Sequence, residues 1–361
     1  MTTRYEVRIL SSQGVLLKIL DRFTSLQITH GLNAIGTLAL TLPTGIIESY
    51  FVEPDTRIEV WRSVTNGPLK PVLNQTWFCR KPVISYGSGS YTTTINAQSA
   101  LSLLDTRIIN TYEGTAQADK TGPADNIIKA YCREALGGLA SSDRSLSAWL
   151  DIETNTSQAP SVSAAASRKP LLQVCKEIAQ DSASSGTRLY FDIIGAGGTK
   201  FGFCTWTNIA GIDRRSQLTL SPEFGNLDNV TWTRDFESER TVVIAGGAGQ
   251  GANRIIQTAA NTAALQVSPF ARRELFVNAS QAETNDAVLG YARSQMRANR
   301  ARQTLTGTII QNASTIFGIH WGLGDLVRGQ ILDTVLDCMI EAVSIRVQDG
   351  LETITGQLRS I

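Results

Sequence analysis

The sequence predicts a β-rich α+β fold, and three observations support this prediction. Apolar and polar residues alternate near the N-terminus and again in the last sixty residues, as they do in half-buried strands. Segments with apolar residues at helical spacing lie between these two regions. A similar hairpin plan occurs near both ends of the chain. At 361 residues the chain is long for one core, so we expect two to four domains.

The first β region is assigned to residues 1–105. Residues 5–9, 38–42 and 57–62 alternate as strands, and the glycines of residues 31–36 indicate a hairpin turn. Residues 77–97 predict a long hairpin that turns at Gly87-Ser88-Gly89. A short helical segment, residues 97–104, is expected to close the unit.

The middle region, residues 106–215, is predicted to be α+β. Residues 123–132 have helical spacing behind Asp125, which is expected to cap the helix. Residues 155–167 are rich in Ser, Thr and Ala and are typical of a surface loop. Pro170 is expected to open a second helix through residue 178. Two strands, residues 188–193 and 200–205, follow it.

A second β region is assigned to residues 216–247 and 303–361, and residues 248–302 are expected to form an inserted segment with one long helix, residues 281–300. Arg293, Arg297 and Arg300 would share one face of this helix. A solvated or subunit-facing surface is favoured over a nucleic-acid contact, because no aromatic residues are interleaved for stacking.

The similar hairpins predicted near the two ends of the chain indicate an internal duplication. Chance similarity is the alternative. Residues 336–360 can be aligned with the first hairpin so that Cys338 matches Cys79, residues 353–354 match residues 94–95, and Gln357 matches Gln98. A repeat of this kind suggests a duplicated structural unit. Three copies of such a chain would present six similar faces around one axis.

Composition limits the classes of function. The net charge of +1 gives no global basic field for non-specific DNA binding, and 42% apolar with 18% charged residues is typical of a globular protein. Five scattered cysteines without a C-x-x-C pair and two distant histidines do not predict a zinc site. Free thiols fit a reducing cytoplasm. Neither a signal peptide nor an apolar run of membrane-spanning length is predicted.

Residues 242–254, V-V-I-A-G-G-A-G-Q-G-A-N-R, resemble a nucleotide-binding loop at first sight. The dinucleotide motif requires G-x-G-x-x-G before a helix, whereas Gly246, Gly247, Gly249 and Gly251 have a different spacing. A G-K-[ST] sequence is also missing. We therefore predict a hairpin turn, for which glycine permits positive φ, and no cofactor-binding residue.

Other candidate chemistry is equally weak, so we assign no catalytic or metal-binding residue and predict that the protein is not an enzyme. Glu223 and Asp228 could pair as catalytic carboxylates but are more typical of turns. A Ser-His-Asp triad would have to use His30 or His320, both of which are interpreted as structural. Surface or interface ion pairs are expected among a third group: Asp213, Asp235, Glu237, Arg214, Arg215, Arg234 and Arg240.

Five patches in order resemble the tail-tip or baseplate hub proteins of tailed bacteriophages, including siphophage tail-associated proteins and the central hub of contractile baseplates. These patches are F-T-S-L-Q-I-T-H-G-L-N-A-I-G-T-L-A-L-T-L-P, D-T-R-I-E-V-W-R, E-F-G-N-L-D-N-V-T-W, V-V-I-A-G-G-A-G-Q-G-A-N-R and W-G-L-G-D-L-V. The resemblance extends from about residue 20 to the C-terminus.

The resemblance implies two tail-tube-like β-barrels per chain and a homotrimeric, pseudo-hexameric ring. This ring would extend or close the tail tube and form part of the DNA-ejection channel, with a polar or acidic wall that holds DNA only transiently. Its implied partners are the tail tube or distal tail protein, the tape-measure protein, and a fibre or spike protein. The implied location is the virion tail tip, after assembly in the host cytoplasm.

The resemblance further implies that lytic or receptor-binding activity belongs to another polypeptide, since this sequence ends at Ile361. Two alternatives remain open. One is a cell-wall-degrading tail enzyme, for which the scattered carboxylates and Trp149, Trp206, Trp232 and Trp321 are the only support. The other is a receptor-binding tail module.

Overall fold

The structure is a computed structural model that describes residues 3–43, 53–87, 89–110, 114 and 116–361. Its strands are β1 (Thr3–Leu10), β2 (Leu16–Leu20), β3 (Ser25–Gly31), β4 (Thr37–Leu42), β5 (Arg57–Val64), β6 (Lys70–Gly87), β7 (Ser90–Ser99), β8 (Ala118–Pro123), β9 (Leu150–Ile152), β10 (Ser161–Ala166), β11 (Leu189–Ile194), β12 (Phe201–Thr207), β13 (Thr219–Leu220), β14 (Leu227–Asp235), β15 (Val242–Gly246), β16 (Ile256–Ala260), β17 (Glu274–Asn278), β18 (Arg302–Ile309), β19 (Leu326–Ile331), β20 (Thr334–Gln348) and β21 (Leu351–Ser360). Its helices are α1 (Ser102–Asp105), α2 (Ala124–Ala135), α3 (Leu171–Ser184), α4 (Thr262–Val267) and α5 (Asn285–Ala298).

The main sheet has 13 strands, and it confirms the β-rich α+β prediction. Eleven of them follow the order β14-β18-β21-β20-β3-β4-β7-β6-β5-β1-β2, while β19 pairs with β20 and β13 pairs with β19. Among the described residues the sheet stays open, because no strand joins β2 to β14. The part of the chain that the structure describes therefore does not close into a barrel by itself.

The main sheet contains the same five-strand plan twice. The first unit has the strand order β3-β4-β7-β6-β5, and the second unit has the order β14-β18-β21-β20-β19. The strands also follow one another along the chain in the same sequence in both units. The predicted duplication is thus confirmed at the level of strand order.

The residue alignment predicted for this duplication is wrong by two positions. Both hairpins contain a register shift, between Cys79 and Lys81 in β6 and between Ile340 and Ala342 in β20. In both units the residue before the shift donates its N–H to the residue preceding the neighbouring strand: Cys79 to Thr56 at 2.8 Å and Ile340 to Asp325 at 3.0 Å. Cys79 is therefore equivalent to Ile340, not to Cys338. A shift of two residues keeps the same sheet face, so the alternation alone could not detect it.

The equivalence extends to the next strands of both units. Ala97 is opposite Cys79, and Leu358 is opposite Ile340. Leu38 of β4 is opposite Ala97, and Leu305 of β18 is opposite Leu358. β4 and β18 therefore occupy the same place in their units.

One hydrophobic core underlies both units. Ile28 and Leu40 from the first unit belong to the same buried cluster as Ile345, Ile354 and Leu358 from the second. The units meet where β3 pairs with β20. Burial on a single face explains the alternation of these strands, since the opposite face carries polar residues.

The middle region forms a separate α+β layer in which α2 and α3 pack together over the strands β9, β11 and β12. Asp125 does not cap α2 as predicted, because Pro123 precedes the helix and Asp125 lies inside it. Its buried carboxylate instead accepts hydrogen bonds from Thr156 and from the N–H groups of Gln158 and Ala159. The helix thereby fixes the following loop.

The inserted region is a three-stranded sheet, β16-β15-β17, covered by α5. Residues 242–246, which the sequence boundaries place in the second β region, belong to this small sheet. Val242 and Val243 are fully buried there, which explains their β-branched character. The predicted long helix begins four residues later than expected, after Thr284, whose hydroxyl caps Ala287 N–H at 3.2 Å.

Candidate functional site: a polar sheet face and two open strand edges

The face of the main sheet opposite the core is lined by hydroxyl and amide side chains. One cross-strand row joins six strands of the two units through successive paired residues. This row consists of Thr308, Thr355, Ser344, Thr29, Thr37 and Gln98. Short uncharged side chains give the face many hydrogen-bonding groups but little net charge.

Charged residues on this face carry both signs. Lys81 on β6 and Arg346 on β20 are exposed, and Asp235 lies at the end of β14. Arg359 is paired with Glu341 at 2.8 Å. Burial is the main reason that the pKa of Glu341 is raised. The face is therefore polar and of mixed charge rather than acidic.

Two strand edges of the duplicated units are open among the described residues. β14 pairs with β18 on one side only. Residues 81–87 of β6 pair only with β7, because β5 covers the earlier part of the strand. The equivalent part of β20, residues 342–348, is paired on both sides, with β21 and with β3.

The open part of β6 exposes apolar side chains on the face that is buried in the second unit. Val343, Ile345 and Val347 are at most 7% exposed, whereas Ile84 and Tyr86 are 45% and 66% exposed. Tyr86 contacts the half-exposed Tyr91, with ring centroids 4.8 Å apart. Such a cluster on a strand with one unpaired edge is typical of an interaction surface.

A buried ion pair joins the two units inside the chain. Arg62 of β5 contacts Glu352 of β21 through two hydrogen bonds of 2.8 Å and donates a third, also 2.8 Å, to the carbonyl of Phe317. Tyr5 of β1 donates to the same carboxylate. Burial and the adjacent carboxylate raise the pKa of Tyr5 well above its usual value, so the phenol remains a donor. No local sequence pattern predicts this ion pair, because Arg62 and Glu352 are far apart along the chain.

Both histidines make hydrogen bonds within the fold. His30 is 1% exposed and contacts Asp192 through Nε2 at 2.8 Å, which ties β3 to β11. Gln75 donates to the same carboxylate at 2.8 Å. His320 accepts the Ile316 N–H at 3.0 Å through Nδ1 within a turn. A substrate could not reach the enclosed His30 ring.

The acidic candidates form local contacts rather than a paired site. Glu223 is hydrogen-bonded to Ser221 in the turn after β13, and Asp228 lies on β14. Asp213 pairs with Arg215 at 2.6 Å, and Arg215 also pairs with Asp337 at 2.8 Å. The other residues predicted to form ion pairs have different partners. Arg214 pairs with Asp325, and Asp235 accepts a hydrogen bond from the Glu237 N–H. Arg234 lies over the rings of Trp232 and Phe236, and Arg240 donates hydrogen bonds to backbone carbonyls.

The glycine-rich segment connects β15 and β16, which form an antiparallel hairpin. Gly249 and Gly251 have φ values of +98° and +57°. Gly247 is required for a different reason, since a Cβ there would lie 2.7 Å from the Ala282 carbonyl and would clash with Val288 of α5. The glycines thus serve chain reversal and close packing, in agreement with the predicted turn.

The four tryptophans considered as support for a glycan-active enzyme are dispersed. Trp321 is buried and donates to the Thr315 carbonyl at 3.2 Å, and Trp232 packs at the edge of the main core. Trp149 lies against Arg57, and Trp206 borders a small cluster beside β11. They do not form a stacking surface for a sugar.

The five cysteines are free thiols, and all except Cys204 are buried. Burial raises the pKa of Cys338 to about 12. Within the described ranges no group of His, Cys, Asp and Glu has the arrangement of a metal site. Nor does any helix there have the length and apolar character needed to cross a membrane.

The fold is similar to those of phage tail proteins of known structure. The 43 kDa tail protein of prophage MuSo2 from Shewanella oneidensis is 12% identical, with a TM-score of 0.66 over 99% of this chain and 98% of that one. The tail protein from Neisseria meningitidis MC58 is also 12% identical, with a TM-score of 0.63 over 100% and 97% of the two chains. A VgrG complex from Francisella is 10% identical, with a TM-score of 0.54 over all of this chain and 58% of that one.

None of the curated proteins matches the sequence significantly. Residues 6–355 match the family described as siphovirus ReqiPepy6 Gp37-like proteins. This match covers almost the whole chain, including both β units, the middle region and the inserted region. The chain therefore belongs to the siphovirus ReqiPepy6 Gp37-like family and has the fold of phage tail proteins.

Proposed function

We propose that the protein is a structural hub of a phage tail tip, in which three copies form a ring around the DNA-ejection channel. The observation that carries this proposal is the duplicated unit. Each chain presents two equivalent four-stranded surfaces side by side, so three chains would present six, which suits docking beneath a six-fold tail tube. The family and the tail-protein fold support the assignment to the tail.

Sheet geometry favours three copies over fewer. Eight strands per chain, β14-β18-β21-β20-β3-β4-β7-β6, would give a ring of 24 strands. With a strand spacing of about 4.8 Å and a tilt of about 40°, its radius would be roughly 24 Å. That radius leaves room for a DNA duplex after the side chains are included. The polar face would line the channel, and the core face would lie outside it.

A structural role is favoured over the two alternatives. A glycosidase needs two carboxylates facing one bond, whereas Glu223 and Asp228 make local contacts in a turn and on an edge strand. Tail-tube, tape-measure and fibre or spike proteins are the proposed neighbours, and the virion tail tip is the proposed location. The receptor-binding hypothesis predicts that the isolated protein binds host cells, and the hub hypothesis predicts that it does not.

The test is the mass of the purified protein by light scattering after size exclusion, followed by electron microscopy. We expect three times the 39.1 kDa of one chain, and particles with a central opening. A monomer that also fails to associate with tail-tube protein would contradict the proposal. Zymography on peptidoglycan is the second measurement, in which a cleared band would support the enzyme alternative.

A further inference from the structure

The junction between the two units inside the chain shows how two such units pair. β3 and β20 run antiparallel with Ile28 opposite Ile345. Leu32 N–H donates to the Glu341 carbonyl at 2.9 Å at the start of this pairing. Because backbone groups alternate along an antiparallel strand, Ile345 directs its N–H and C=O toward β3.

The two open edges are the equivalents of this junction. β14 corresponds to β3, because Trp232 is opposite Leu305 as Ile28 is opposite Leu38. Residues 81–87 of β6 correspond to residues 342–348 of β20 through the shared register shift. The molecule therefore has the two halves of a second junction, one at each end of the eight-strand row.

The backbone of β6 is suited to pairing on its open side. By the same equivalence Pro82, Ile84 and Tyr86 direct their backbone groups outward, as Val343, Ile345 and Val347 do toward β3. Ile84 and Tyr86 offer both an N–H and a carbonyl on this side, whereas the pairing would lack one ladder hydrogen bond at Pro82, which has no N–H. Its carbonyl remains available as an acceptor.

The backbone of β14 is also suited to this pairing. Ile310 N–H donates to the Asn226 carbonyl at 3.0 Å, which sets the alternation along β18. Following that alternation through the register shift, Thr231 and Thr233 face β18. Trp232 and Arg234 are then left with their backbone groups on the open side.

The side chains explain what the pairing would cover. Ile84 and Tyr86 are exposed in the isolated chain, although the residues at their equivalent positions are buried by the neighbouring unit. Trp232 and Val230 are partly buried and pack against the core. Pairing of the edges would bring these four apolar side chains together, which removes apolar surface from water.

We infer that β14 of one copy pairs with residues 81–87 of β6 in the next copy, with Trp232 opposite Ile84. This inference rests on the proposed ring and defines the contact between its copies. The occupant of each open edge is thus a second copy of this chain. Because the two surfaces are different, the contact is head-to-tail and can close into a ring.

Disulfide cross-linking tests the register. Val83 and Thr233 would be opposite each other, as Ser344 and Thr29 are inside the chain, where the hydroxyl oxygens lie 3.3 Å apart. Pairs of this kind have Cα atoms about 4.5 Å apart, within the range for a disulfide. In a Cys204→Ser background, the variant Val83→Cys with Thr233→Cys should form covalent trimers on a non-reducing gel.

The controls separate the register from the ring. The variant Ser344→Cys with Thr29→Cys should cross-link within one chain, and each single variant should give no covalent trimer. The pair Val83→Cys with Thr231→Cys is displaced by two residues and should cross-link much less. A non-covalent trimer that cross-links only in the displaced pair, or in neither pair, would overturn the inferred contact alone. A chain that remains monomeric with tail-tube protein present, without cross-links, would overturn the ring as well.

Discussion

Arg62 links the two units of the main sheet within one chain. Its guanidinium is buried and makes bidentate contacts with Glu352, so removal of either partner leaves an unpaired buried charge. We expect Arg62→Ala to lower the free energy of unfolding by about 3–5 kcal/mol. Urea unfolding at matched protein concentration measures this change.

The matched control is Arg272→Ala. Arg272 pairs with Glu274 at 2.6 Å, but the two side chains are 58% and 49% exposed. Removal of such a pair should cost less than about 1 kcal/mol. Equal effects of the two substitutions would show that the Arg62 contact does not hold the units together.

Asp125 predicts a dependence of stability on pH. Burial alone would raise its pKa, but hydrogen bonds from Thr156, Ala159 and Gln158 and the charge of Lys129 bring the pKa below the usual 3.8. A depressed carboxyl pKa stabilises the fold above the unfolded value, and this contribution is lost as pH falls from about 4 through the folded pKa.

The variant Asp125→Asn should therefore be less stable than the parent protein at pH 7. The difference should shrink as pH falls from about 4 through the folded pKa, where the carboxylate of the folded parent protein becomes protonated. Urea unfolding at both pH values measures it. A difference that stays constant with pH would mean that shape rather than charge is responsible.

At the scale of elements, the glycine-rich hairpin between β15 and β16 predicts a contrast between two alanine substitutions. Gly247→Ala places a Cβ against α5 and should destabilise the protein by roughly 1–3 kcal/mol. Gly290→Ala lies on the exposed side of α5, where a Cβ meets no atom within 4 Å, and should stabilise by up to about 1 kcal/mol. Thermal unfolding measures both. If Gly247→Ala unfolds like the parent protein, the packing role is wrong.

Elements were predictable where a local pattern determined them. The alternation of β4 and the helical spacing of α3 follow from burial of one face, so the position of β4 and the start of α3 agree with the structure, although α3 continues to Ser184, six residues beyond the predicted end. The register of the repeat was not predictable, because a two-residue displacement leaves every side chain on the same face. Asp125 was misassigned because an aspartate near the start of a helix can either cap the helix or lie buried inside it. The local sequence does not distinguish these two positions. The contact of Arg62 with Glu352 depends on the fold and has no local signal.

At the scale of the whole molecule, the near-neutral polar face predicts how a ring would treat DNA. A channel wall of hydroxyls and amides supplies few counter-charges for phosphates, so the parent protein should not retain duplex DNA at about 0.15 M salt. The variant Thr29→Lys with Thr355→Lys adds two cations per chain to exposed positions of this face, and hence six to a trimer. It should retain short linear duplexes, and the retention should fall steeply with salt.

DNA topology distinguishes the channel from the outer surface. A linear duplex can enter a closed ring from its end, whereas a nicked circle cannot, so the lysine variant should retain the linear form only. The control variant Gln13→Lys with Gln281→Lys adds the same charge outside the eight strands and should treat both forms alike. Equal retention of circles and linear DNA by the first variant would mean that the polar face lies on the outside, because only an outer surface is accessible to DNA without ends.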